Sequence, residues 1–285
     1  MLRLSWAVAT HPGLKRDSNE DASAARPDLG LFVVADGMGG HAAGEVASKA
    51  AADTIEAFAS DTRARDLNAT WPFPLEPSLS VDGNRLKAAF RLANRNIAER
   101  IAGAQELRGM ATTASAVLLS ENDSGAIVAA IGHVGDSRVY LCRAGSLRQL
   151  TDDHSWVGEQ MRAGVLSDDD ARRHPWRNVV TRAISGGADP DVDVVEMPLD
   201  ADDRLLLCSD GLSGVIGDDA IARLACAGGI DAACEALIAA ANEAGGPDNI
   251  TVVLIQIEDA QVAERGGGAP RAAELGGVQG PPPRD

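Results

Sequence analysis

Three aspartates stand where chemistry could be mounted. Asp36 follows the apolar run LFVVA in FVVADGMGGH, and Asp210 follows LLLC in LLLCSDGLSG. Asp248 stands just ahead of a third run in GGPDNITVVLIQI. A fourth acidic segment, KRDSNEDA, adds Arg16, Asn19, Glu20 and Asp21. A lone Asp-Gly pair marks a turn, since both residues favour turns. Three carboxylates delivered by buried strands mark loops on a rigid scaffold, where function is usually carried. Carboxylates brought together repel strongly at low effective dielectric and need cations. The donors are all oxygens, with no His or Cys at matching positions, which favours Mg²⁺ or Mn²⁺ over zinc. Gly37, lacking a side chain, would let its backbone carbonyl approach a metal. Two such ions about 4 Å apart activate a bridging water and stabilise in-line displacement at phosphorus. The planar fork of Arg16 suits bidentate grip on a phosphate. It equally suits an ion pair with Glu20 or Asp21.

Strands must place these loops. The pattern predicts strands at Leu4–Ala9, Leu31–Ala35, Ala114–Leu119, Ala126–Ile131, Arg138–Cys142, Val192–Met197, Arg204–Cys208 and Ile250–Ile257. Continuous apolar runs such as LFVVA suggest strands covered on both faces. Helical spacing appears in Gly44–Phe58, in Asn84–Ile101, and in a pair near Asp218–Ala225 and Asp231–Glu243. Ser167 followed by Asp170 is a capping-box candidate for a short helix after Val165. Strands often follow strands, which does not suit a doubly wound sheet. It suits an α+β chain of two packed sheets with helices outside. Residues 61–80, containing WPFPLEP, read as a surface loop. Residues 1–258 read as one domain, and the Gly- and Pro-rich 259–285 as a disordered tail.

The net charge of −16 with no basic stripe argues against nucleic acid as a partner. The four cysteines form no CxxC pair, and three lie in apolar runs, so neither a zinc site nor a disulfide is indicated. No segment reads as a signal peptide or membrane span, which makes the cytoplasm the expected location.

The chain resembles the metal-dependent type 2C serine/threonine protein phosphatases in their compact bacterial form. The motifs RDSNEDA, VVADGMGGHAAGEVAS, GMATTASAV, IGHVGDSRVYL, LTDDHSWV, NVVTRAISG, LCSDGLSGVI and GGPDNITVVLI follow one another in the family's order. The resemblance implies a four-layer α-β-β-α sandwich of mainly antiparallel sheets. It implies two Mn²⁺ or Mg²⁺ ions bridged by Asp36, with the Gly37 carbonyl on one and Asp210 and Asp248 on the other. Glu20 and Asp21 would act largely through water, and Asp136 would hold a third, weaker ion. Arg16 would hold the substrate phosphate. Residues 153–186 would include a flap beside the site. Met38 stands where animal members carry a histidine proposed as general acid, which leaves the proton donor open. His41 is a candidate, and His133 and His154 read equally as loop hydrogen-bonders.

The activity expected is hydrolysis of phosphoserine and phosphothreonine in proteins, by a monomer opposing a bacterial serine/threonine kinase in signal transduction. Two other functions compete: a non-catalytic module that senses phosphorylation, and a hydrolase of small phosphate esters.

Overall fold

A computed structural model describes residues 2–39, 42–122 and 124–258. The strands are β1 (Leu4–His11), β2 (Asp21–Arg26), β3 (Leu31–Met38), β4 (Ala111–Thr112), β5 (Ala114–Glu121) and β6 (Ile127–Val134). They continue with β7 (Arg138–Arg143), β8 (Ser146–Gln149), β9 (Asp193–Pro198), β10 (Arg204–Cys208) and β11 (Ile250–Ile257). The helices are α1 (Ala42–Asp61), α2 (Val81–Gly103), α3 (Trp156–Arg162), α4 (Asp168–Arg173), α5 (Asp210–Ser213), α6 (Asp218–Ala225) and α7 (Ile230–Glu243).

One sheet has the order β1-β11-β10-β7-β8 and the other β2-β3-β5-β6-β9, with β4 beside β3. All the pairings between these strands are antiparallel. Alternation along each strand explains the apolar runs. On β3, Leu31, Val33 and Ala35 face α1 and α2, while Phe32 and Val34 face the other sheet. On β11, Val252 and Leu254 face α6 and α7, while Val253 and Ile255 meet the first set. Three apolar layers therefore separate four structural layers, and the α-β-β-α expectation holds.

Most predicted elements are present with ends moved by a few residues. Asn84 proves interior to α2, because the Ser80 side chain accepts the N–H groups of Asp82 and Gly83 and starts the helix earlier. The Ser167 cap is present, accepting from the Asp170 N–H at 3.2 Å. β2 was not expected, because DASAAR lacks large apolar residues; its pairing with β3 makes it a strand. The loop at 62–80 is anchored by Phe73, which is buried.

One expectation fails outright. Cys142 on β7 and Cys226, just after α6, form a disulfide, while Cys208 and Cys234 stay buried thiols. The pair is 84 residues apart in sequence, and only the packing of α6 on its sheet brings it together. Among the described residues no helix is long and apolar enough to cross a membrane. The tail at 259–285 and His41 lie outside the described residues.

Candidate active site

The β2–β3 register sets Asp21 directly opposite Asp36. The Asp36 carbonyl accepts from the Thr113 N–H at 2.9 Å and the Thr112 hydroxyl at 2.7 Å. Gly37 follows for a steric reason the sequence did not show. A Cβ there would sit 2.1 Å from the Gly44 carbonyl oxygen, so the start of α1 packs onto bare backbone. The Glu20 carboxylate lies against Gly44 in the first turn of α1, where the helix N-terminus favours negative charge.

Asp210 opens the one-turn helix α5 rather than a loop. A Cβ on Gly211 would lie 1.9 Å from the Asn249 carbonyl oxygen, so this turn presses against the loop carrying Asp248. Asn249 stitches the loops together. Its Oδ1 accepts from the Glu20 N–H at 2.7 Å, and its Nδ2 donates to the carbonyls of Pro12 and Ser18 at 3.0 and 2.8 Å.

These contacts bring seven of the eight candidate residues around one cavity of about 590 Å³: Arg16, Glu20, Asp36, Gly37, Asp136, Asp210 and Asp248. Asp21 sits behind the wall, accepting the Ser209 hydroxyl at 2.8 Å. Arg16 pairs with neither Glu20 nor Asp21. Its Nη2 donates to Asp248 Oδ2 at 2.8 Å, which raises the guanidinium pKa further. Sequence reasoning missed Lys15, Thr113, Asn178 and Val180, which also line the cavity. Only their place in recurrent motifs could have pointed to Thr113, Asn178 and Val180.

The electrostatics call for cations. Burial, and then the neighbouring carboxylates, push the Asp36 carboxyl well above its usual range. Burial pushes Asp21 up to about 7 and Asp210 up to about 6, with repulsion adding to each. Asp136 is also pushed well up, by burial and then by Asp210 and Asp153. Two buried oxygens, Asp21 Oδ1 and Asp210 Oδ1, have no hydrogen-bond partner. Among the described residues no three His, Cys, Asp or Glu side chains form a ready-made cage. Repelling carboxylates stand apart, and a hard cation held by one or two carboxylates, carbonyls and water needs no tighter cage. The orphaned oxygens and all-oxygen donor set fit such ions.

Behind Asp136, His154 clamps the preceding peptide. Its Nδ1 accepts the Gly135 N–H at 3.1 Å and its own N–H reaches the Gly135 carbonyl at 2.7 Å. Nε2 therefore carries the proton and donates to Asp193 Oδ2 at 2.9 Å. The His133 ring lies 4.7 Å away, tilted by 40°, and burial, then His154, lowers its pKa to about 4. Both histidines are buried framework. Arg138 holds Asp153 with contacts of 2.7 and 2.8 Å.

The family model for protein phosphatase 2C matches residues 15–251. The chain belongs to the protein phosphatase 2C family. Two members of the family illustrate the likeness. A serine/threonine protein phosphatase of Mycobacterium tuberculosis, PstP, is 36% identical over 259 residues, covering 90% of this chain and 46% of that protein. The chain thus spans about half of that relative's length. A Listeria monocytogenes serine/threonine phosphatase, stp, is 34% identical, covering 87% of this chain and 93% of its own. The crystal structure of the PstP catalytic domain in complex with two manganese ions superposes with TM-score 0.76 at 34% identity, covering 91% of this chain and all of that one. Phosphatase 2C membership and the four-layer fold thus agree.

Proposed function

We propose that the chain is a metal-dependent protein-serine/threonine phosphatase whose site is the cavity just described. One observation carries the reading. Asp36, Asp210, Asp248 and Arg16, drawn from four separate segments, line a single cavity with buried, mutually repelling carboxylates. The manganese-bound family structure supports two ions, and Mn²⁺ or Mg²⁺ both suit these oxygen donors.

In this reading Asp36, the Gly37 carbonyl, Asp210 and Asp248 would hold the two ions, with Asp36 shared between them. Glu20 and Asp21 act through water, and Asp136 offers a weaker third position. The bound ions supply an activated water and neutralise phosphate charge. Arg16 swings from Asp248 to grip the phosphate oxygens bidentately; its exposure leaves it free to do so. Met38 lines the cavity but has no proton to give, so the leaving seryl or threonyl oxygen must take its proton from another donor, water or His41.

The substrates proposed are phosphoproteins made by a bacterial serine/threonine kinase, and the kinase itself. Phosphorylation happens where ATP is, which supports a cytoplasmic setting in signal transduction. Residues 1–258 are taken as one phosphatase domain acting as a monomer. The deciding experiment is hydrolysis of a phosphothreonine peptide with and without Mn²⁺. Activity that survives both Asp210→Asn and a chelator would sink the metal mechanism.

A further inference from the structure

Six large apolar side chains stand exposed among the described residues: Leu14, Leu67, Val165, Trp176, Val179 and Val195. Three of them lie in the two segments that line the cavity, though not in its wall: Leu14 precedes the lining Lys15, Val179 stands between the lining Asn178 and Val180, and Trp176 is two residues before Asn178. Isolated exposed apolar residues need no explanation, but a group around a catalytic mouth does.

Trp176 is 54% exposed yet held in place. Its ring meets Trp156 edge-on at 4.9 Å, and Trp156 stacks on His174 at 4.6 Å. The backbone around it is pinned. Val179 N–H donates to the Trp176 carbonyl at 3.0 Å, Trp156 N–H to the Val179 carbonyl at 2.8 Å, and Thr181 N–H to the His154 carbonyl at 2.7 Å. An exposed aromatic held rigid loses little entropy when a partner covers it.

Charge at this rim runs against the chain. The protein carries −16, yet Lys15 and Arg177 beside these apolar residues are exposed cations. Neither has an ion-pair partner among the described residues. Arg177 also lines a smaller cavity of about 90 Å³ that shares Asp136, Asn178 and Asp210 with the main one. The groove therefore runs on from the catalytic cavity to Arg177.

We propose that this rim docks the polypeptide flanking the phosphorylated residue, selecting an acidic side chain at Arg177 and an apolar one against Trp176. The proposal rests on the phosphatase reading and specifies what that site selects. A small phosphate ester fills the main cavity and never reaches Trp176. A basic flank would meet like charge and be rejected.

The test uses the Mn²⁺-loaded chain with p-nitrophenyl phosphate and two phosphothreonine peptides that differ only in acidic or basic flanks. Wild type should favour the acidic peptide about threefold in kcat/KM, through KM, as expected for one exposed charge contact. Arg177→Glu should reverse that preference. Trp176→Ala should raise KM for both peptides. Neither change should alter p-nitrophenyl phosphate turnover. Fluorescence anisotropy of the labelled acidic peptide should rank wild type above Arg177→Glu without any turnover. Equal peptide preferences in wild type and Arg177→Glu, with p-nitrophenyl phosphate hydrolysed normally, overturn the docking proposal and leave the phosphatase standing. Wild type inert toward all three substrates overturns both.

Discussion

Arg16 and Asp248 are 232 residues apart in sequence, and Arg16 Nη2 lies 2.8 Å from Asp248 Oδ2 at the mouth of the cavity. In the function proposed above, the cation that would grip phosphate rests on a carboxylate that would hold metal. The pair is half in solvent, with side-chain exposures of 54% and 27%, so it contributes little to stability and opens readily. Arg16→Ala should raise KM for phosphopeptides by about tenfold while leaving the melting temperature within a degree or two. Arg16→Lys should recover only part of the loss, since a point charge lacks the planar fork. Steady-state kinetics and thermal melts check both.

Asp36→Asn should separate function from stability. Losing a bridging carboxylate should cost more activity than the ~100-fold typical of an outer-sphere partner. Without metal the same variant should be more stable than wild type at pH 8, because a buried like-charge repulsion is gone. Melting curves in chelator and in Mn²⁺ give opposite rankings if this is right.

The raised carboxyls give the metal-free protein a definite pH profile. Asp21 and Asp210 have folded pKa values of about 7 and about 6, above the ordinary carboxylate value. A raised acid favours the folded state while protonated, so its stabilisation is full below about 4 and is lost as pH rises through 6 to 7. Chelator-treated protein should therefore melt lower at pH 8 than at pH 5.5. Mn²⁺ should recover most of the difference at pH 8, and its binding at pH 5.5, where these carboxyls still hold protons, should release protons visible by calorimetry in buffers of different ionisation enthalpy. A flat profile in chelator would show that these carboxyls titrate normally.

Gly211→Ala should disrupt the site from behind. Its Cβ would fall 1.9 Å from the Asn249 carbonyl oxygen, so the α5 turn and the Asp248 loop must part. A loss of about 3 kcal/mol in chemical denaturation is expected, together with weaker Mn²⁺ binding.

The disulfide between Cys142 and Cys226 lies away from the cavity-lining residues. Reduction, or Cys226→Ser, should lower stability by about 2–4 kcal/mol while leaving kcat unchanged. Denaturant melts with and without reductant, beside a turnover assay, measure the two effects separately.

Much of the molecule was legible in the chain itself. Asp36, Asp210 and Asp248 could be singled out because each abuts an apolar run, and burial of such runs is a local property. Strand alternation and helical spacing are local too, which is why β10 and α6 were placed to the residue. β2 was missed because its strand character comes from the neighbour it pairs with. What depended on distant segments meeting was decided by the tertiary structure alone. Arg16 met Asp248 rather than its sequence neighbours, and Cys142 met Cys226. Gly37 proved necessary because α1 lands on it. Lys15, from one loop, and Asn178 and Val180, from another, came to line one cavity only when the two loops converged. The sequence by itself determined which groups could bind metal and phosphate. The packing of two sheets, fixed by apolar faces far from the site, decided which of them face one another.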